Sequence, residues 1–152
     1  MSATNIYEAL RQSHDVQRTL CQDLINAEPD SGRRQEIFKL LKVELAAHAA
    51  AEERFLYAPI LMDDMGLNSS RHALAEHHEI DEYVEDLASA ESRGGSWLAK
   101  AKKLAEEVEH HLEEEEKKFF QVSGKILTDK QKVQLGKQYL HDYERMKKKL
   151  TD

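Results

Sequence analysis

The segments LAAHAAAEERF (residues 45–55) and LAEEVEHHLEEEEKKF (residues 104–119) share one pattern, a histidine followed four residues later by a glutamate. His48 and Glu52 lie in line with apolar residues at steps of three and four, which is the spacing of one helix face. The second segment repeats this arrangement around His111. Both segments therefore predict helices whose apolar face carries a histidine and a carboxylate toward the core.

Two further histidines lie on the apolar stripes of separate predicted helices. His14 shares its stripe with Leu10, and His77 shares its stripe with Ile80. A buried polar group without a partner costs roughly 1–3 kcal/mol in proteins. A single inward histidine is most often a hydrogen-bonded core residue, but four of them with two aligned glutamates need a common partner. The pattern predicts a metal site inside a helical bundle.

Periodicity also chooses between adjacent histidines. The residues at steps of three and four from His110 are charged, whereas those at the same steps from His111 are mainly apolar. His111 is therefore predicted to face inward. The same comparison favours His77 over His78. His72 has no apparent partner at ligand spacing and is predicted, like His141, to lie on the surface.

Composition limits the class of protein. The chain has 152 residues with only 6 glycines and 2 prolines, which favours a single helical domain over residues 1–152. Its net charge of −7 argues against nucleic-acid binding, because phosphate contacts require a basic face. Cys21 is the only cysteine, so an internal disulfide is excluded. Because neither a membrane span nor a secretory signal is visible, we expect a cytoplasmic protein with no membrane partner.

Five helices are predicted. The first four, over about residues 4–127, are long and joined by short turns, which favours an all-α, antiparallel, up-and-down four-helix bundle. Thr4 is a candidate N-cap of the first helix, and Asp30 or Ser31 of the second. Gly94 and Gly95 are expected to close the third, and Ser96 to open the fourth. Thr128 and Gln131 resemble a capping box for an additional, shorter C-terminal helix over about residues 128–150.

The ligand chemistry follows from the helical spacing. Side chains at i and i+4 project from one helix face, so each His-x-x-x-Glu pair presents a nitrogen and an oxygen to a common point. Imidazole suits iron, copper and zinc, and a carboxylate can bridge two ions. Four nitrogens and two carboxylates exceed the needs of one tetrahedral ion but suit two octahedral ions. Asp81, four residues after His77, is a candidate seventh ligand.

The same residues resemble the hemerythrin-like family, also called HHE cation-binding domains. The order His14, His48 with Glu52, His77, His111 with Glu115 matches the family pattern, and so do the surrounding words HAAAEERFLYAPI, EHHEIDEYVEDL and HLEEEEKKFF. The resemblance covers about residues 5–127. It implies a four-helix bundle with two non-haem iron ions, joined by an oxo or hydroxo bridge. The histidines would be terminal ligands and the two glutamates would bridge the ions.

The chain departs from the oxygen-carrying hemerythrins at two positions. These have a second histidine one turn after the third-helix ligand and a bridging aspartate five residues after the fourth-helix ligand. Here those positions hold Asp81 and Glu116, with Glu115 at the four-residue spacing. The resulting centre would be more anionic, which favours ferric iron and disfavours reversible oxygen carriage.

Three functions remain open on the sequence. The leading one is a di-iron protein that binds dioxygen or a related small molecule, or senses iron or redox state. The second is an enzyme that acts on peroxide or nitric oxide, or an iron-centre repair protein. The third is a structural zinc bundle. The acidic surface carries no strong dimer signal, so a monomer or weak homo-oligomer is expected.

Overall fold

The computed structural model describes residues 4–29, 32–90 and 95–151, so Asp30, Ser31 and Gly94 lie outside the described residues. Gly95 begins the next helix instead of closing the third, so that part of the prediction was wrong. No strand occurs within these ranges, and the fold is all-α as predicted. The helices are α1 (Ile6–Asn26), α2 (Arg33–Glu52), π1 (Glu53–Tyr57), α3 (Ala58–Leu61), α4 (Leu67–Ser89), α5 (Gly95–Glu114), π2 (Glu115–Phe119), α6 (Phe120–Ile126) and α7 (Asp129–Thr151). None of the described helices has the length and hydropathy needed to cross a membrane.

Two apolar clusters establish the direction of the bundle helices. The first cluster contains Leu10 near the start of α1, and the second contains Leu24 near its end. Helix α2 runs the opposite way, from Leu41 in the second cluster toward π1 in the first. Helix α4 again runs from the first cluster to the second, and α5 runs back. The four helices are therefore antiparallel, and the inward histidines lie between the two clusters.

The predicted N-caps of the first and last helices lie within the described residues and can be tested. Helix α1 is capped by Asn5 rather than by Thr4, because Asn5 accepts from the backbone of Glu8 and Glu8 reciprocates. This is a capping box. The capping box predicted for the last helix is confirmed, since Thr128 and Gln131 exchange their side-chain and backbone hydrogen bonds.

The C-terminal helix is longer and better packed than the sequence suggested. With 23 residues, α7 is longer than α1 and equals α4, so the expectation of a shorter helix was wrong. It packs against α1 and α2 and buries Tyr139 and Tyr143 there. Helix α7 is therefore part of the core beside the inward histidines.

Two π-helical segments interrupt the bundle at equivalent places. Segment π1 begins directly after Glu52, and π2 begins at Glu115. The backbone N–H of Ala58 bonds the carbonyl of Glu53, and that of Phe120 bonds the carbonyl of Glu115. Such wider turns are rare and occur frequently at functional sites. Each of them begins at, or directly after, the glutamate of a His-x-x-x-Glu pair.

Candidate metal centre

Six buried side chains form two donor groups that share both glutamates. The first donor group contains His14, His48, Glu52 and Glu115, and the second contains His77, His111 and the same two glutamates. Within each group, one atom of every side chain lies within 4.8 Å of the others. The predicted residues from four helices are therefore brought together around two adjacent points.

Each glutamate lies between two histidines from different helices. Glu52 Oε1 lies 3.2 Å from His48 Nε2 and 3.1 Å from His77 Nε2. Glu115 Oε1 lies 3.2 Å from His14 Nε2, and its Oε2 lies 3.5 Å from His111 Nε2. All four histidines thus direct Nε2 to the interior of the site. The arrangement suits a carboxylate that bridges two cations.

The opposite ring nitrogen of each histidine has a partner of its own. The Nδ1 atoms of His14, His77 and His111 lie 2.7, 2.8 and 2.9 Å from carboxylate oxygens. The His48 Nδ1 lies 2.7 Å from the hydroxyl of a tyrosine on α7. Such partners orient metal-binding histidines and determine which nitrogen faces the metal. The Nδ1 partner of His14 is Glu116, that of His77 is Glu53, that of His111 is Glu76 and that of His48 is Tyr139.

Sequence reasoning missed these four partners. Glu53 and Glu116 directly follow the shared glutamates, and Glu76 directly precedes His77, so adjacency to a ligand was an available signal. Tyr139 is 91 residues from His48 and comes from another helix, and no local pattern connects the two.

Within the described part of the chain, four buried atoms of the donor groups make no hydrogen bond of normal geometry, although three of them lie 3.2 Å from another donor atom. These atoms are His14 Nε2, His48 Nε2, Glu52 Oε2 and Glu115 Oε1. Each is a lone-pair donor when its group is deprotonated. Buried polar atoms are nearly always satisfied, so four such atoms at one place indicate a cation site. The donors present therefore fit a pair of metal ions.

Tyr57 contributes a phenol oxygen to the second donor group. Its hydroxyl lies 2.9 Å from Glu52 Oε1 and 3.3 Å from His77 Nε2, and it donates a short hydrogen bond to Glu115. Burial and the two neighbouring carboxylates raise the pKa of this phenol well above its usual value. Its position makes it a candidate donor as well.

The charges of the site are strongly coupled. Burial opposes the protonation of His14 and His77, but the facing carboxylates outweigh burial and raise their pKa values to about 9 and about 10. Burial lowers the pKa of His48. Burial also opposes ionisation of Glu52, yet its histidine neighbours hold its pKa well below the usual value. His14 and His77 are therefore positively charged at neutral pH in the metal-free site.

These shifts predict the pH dependence of stability without metal. Because the pKa values of His14 and His77 are raised in the folded state, the stabilisation is complete below about pH 6.5. It is lost as the pH rises through 9 and 10. We expect the melting temperature of metal-free protein to fall by roughly 5–10 °C between pH 7 and pH 10.5. Zinc-loaded protein is the control, and equal falls in both forms would contradict the prediction.

The remaining candidates lie outside the two donor groups. Asp81 is exposed, and it borders a cavity of about 20 Å³ beside His77 without joining either group. Its role as a ligand stays a prediction. Glu116 binds His14 Nδ1 and lies 3.0 Å from Arg18 Nη2. Burial opposes its ionisation, but His14 and Arg18 lower its pKa to about 2.

The histidines predicted to lie at the surface are exposed, but the prediction that His72 has no partner was wrong. His110 is 65% exposed and His78 is 75% exposed, against 4% and 7% for the side chains of His111 and His77. His72 is exposed too, but it does have a partner at ligand spacing. Glu76 lies four residues later, with its Oε2 3.5 Å from His72 Nε2.

Comparisons with known proteins bear on the family and the fold. The profile of the hemerythrin HHE cation binding domain matches residues 5–122. A crystal structure of a hemerythrin HHE cation binding domain-containing protein from Mycobacterium kansasii superposes with a TM-score of 0.86 and 24% identity. The match covers 96% of this chain and 89% of that one.

A curated relative matches by sequence. It is a protein of Nostoc sp. named DNA nickase, which is 25% identical over 135 residues. The match takes in 89% of this chain but only 38% of the relative's length.

Proposed function

The chain belongs to the hemerythrin HHE cation-binding domain family, and from this premise we propose that it holds two iron ions and binds dioxygen or a related small molecule at them. The observation that carries the proposal is the pair of donor groups sharing Glu52 and Glu115. His14 and His48 would hold one ion, and the histidines of the second donor group would hold the other.

The donor set supports iron as the metal. Imidazole and carboxylate ligands suit ferrous and ferric ions, and the two shared carboxylates offset the charge of an ion pair. When bound, two ferrous ions would supply two electrons to an incoming ligand. The protein orients the four imidazoles through their Nδ1 partners and surrounds the site with apolar clusters that limit access by water.

A cavity supports small-molecule access to the second donor group. It has a volume of about 230 Å³, and its lining includes His111, Glu115, Ala73 and Phe119. Histidines of the first donor group do not line it. The cavity would admit a molecule as small as dioxygen to the ion held by His77 and His111. Tyr57, whose hydroxyl contacts both glutamates, would orient such a ligand by hydrogen bonding.

An enzyme acting on peroxide or nitric oxide is the second candidate. Three carboxylates and two phenols that contact the donor histidines and glutamates support it, because their hydrogen bonds can transfer protons beside the ions; they are Glu53, Glu76, Glu116, Tyr57 and Tyr139. We do not propose that the chain binds DNA. The net charge of −7 disfavours phosphate contacts.

One experiment tests the proposal and distinguishes the small-molecule-binding protein from the enzyme. Protein loaded anaerobically with ferrous iron is exposed to dioxygen, and the gas consumed per chain is measured. We expect two irons per chain and the consumption of one dioxygen per iron pair, with no further uptake unless a reductant is added. Sustained decomposition of added hydrogen peroxide, lost in His111→Ala, would instead identify the enzyme. Failure to bind iron, with zinc bound tightly, would contradict both.

A further inference from the structure

A second set of histidines and glutamates lies at the surface beside the cavity. His72 and Glu76 are four residues apart on α4, and His110 and Glu114 are four residues apart on α5. We call these four residues the outer group. The outer group therefore repeats, on the outside of the bundle, the His-x-x-x-Glu spacing of the buried donors.

The side chains of the outer group converge across the two helices. His72 Nε2 lies 3.0 Å from Glu114 Oε1 and 3.5 Å from Glu76 Oε2. His110 Nε2 lies 3.1 Å from Glu114 Oε2 and 3.5 Å from Glu76 Oε2. His72, Glu76 and Glu114 each place one donor atom within 4.8 Å of the others, and His110 adds a second imidazole that contacts both carboxylates. Such a mixed set suits a divalent transition-metal ion better than a lone acidic patch would.

The outer group is connected to the buried site in two ways. Glu76 directs Oε2 to the outer group, while its Oε1 lies 2.9 Å from Nδ1 of His111. The cavity of about 230 Å³ is lined by His72, Glu76 and Glu114 together with His111 and Glu115. One open space therefore borders both sets of ligands.

We propose that the outer group binds a divalent transition-metal ion and passes it through this cavity to the buried centre. The passage rests on the function proposed above, whereas binding at the outer group does not. Both outer histidines are more than half exposed, so water competes for the ion and binding there is weak and exchangeable. Lys118 Nζ lies 4.0 Å from Glu114, but its side chain is exposed and can move away. The two carboxylates attract the cation electrostatically.

The test uses the double variant His72→Asn/His110→Asn, which leaves Glu76 and its contact with His111 in place. We expect ferrous iron to enter the buried centre at least about tenfold more slowly than in the wild type, with the difference shrinking as the iron concentration is raised. The control is His78→Asn. His78 pairs with Glu82 at the same spacing on the same helix, but does not line the cavity.

Zinc provides the second measurement. In protein whose buried centre is already filled, the proposal predicts one additional, weaker zinc ion per chain by calorimetry, and its absence in the double variant. Absence of this zinc ion from the wild type would overturn the outer site. Zinc binding with equal rates of iron entry in wild type and double variant would overturn the passage. If iron enters neither protein while the extra zinc still binds, the function proposed for the buried centre fails and the outer site stands.

Discussion

Replacing Glu52 with glutamine is expected to abolish binding of both metal ions. Glu52 belongs to both donor groups, and its Oε1 lies about equally far from His48 and His77. Glutamine keeps the volume of the side chain but removes the negative charge that offsets the two cations. We therefore expect iron per chain, measured by elemental analysis, to fall from two to nearly zero.

The same change should weaken the metal-free fold. Glu52 faces His77, whose pKa is raised to about 10, so the substitution leaves a buried imidazolium with less compensation. Removal of one partner of a buried ion pair costs about 3 kcal/mol in free energy of unfolding. Urea denaturation measures this loss. The control is Glu36→Gln, on the exposed face of the same helix, and retention of two irons by Glu52→Gln would contradict the assignment.

Replacing Tyr139 with phenylalanine is expected to weaken metal binding by about 10- to 100-fold. The Tyr139 hydroxyl lies 2.7 Å from His48 Nδ1 and 2.6 Å from the hydroxyl of Ser13. Without it, the buried Nδ1 loses its partner and the ring loses its orientation. Competition with a chelator of known affinity measures the change.

Tyr143→Phe is the matched control for this prediction. Tyr143 is a second buried tyrosine on α7, and its hydroxyl donates to Glu44 rather than to a histidine of the donor groups. Its removal should lower stability without changing metal affinity. Equal affinities in the two variants would show that α7 supports the fold but does not position the site.

The fold and the inward position of the six candidate donors could be predicted from the sequence because both depend on helical periodicity. The apolar ladder through His111, compared with the charged ladder through His110, correctly separated a buried histidine from an exposed one. The same reasoning placed His77 inside and His78 outside. Local hydrogen-bond patterns could also be predicted from the sequence, as the capping box at Thr128 demonstrates.

Contacts between helices that are far apart in the sequence could not be predicted in this way. Periodicity states which face of a helix is buried but not which residue of another helix it meets. The pairing of Tyr139 with His48 depends on how α7 packs against α2, and the contact of Glu76 with His111 depends on how α4 packs against α5. The position of the Tyr57 hydroxyl depends on π1, whose wider turn no simple sequence rule predicts.

The most direct test of a shared, dinuclear centre is anomalous X-ray scattering at the iron edge from crystals of iron-loaded protein. The account predicts two buried iron peaks per chain, both within bonding distance of Glu52 and Glu115, with one bonded to Nε2 of His14 and the other to Nε2 of His111. A single buried peak, or iron bonded to Nδ1 atoms, would contradict it.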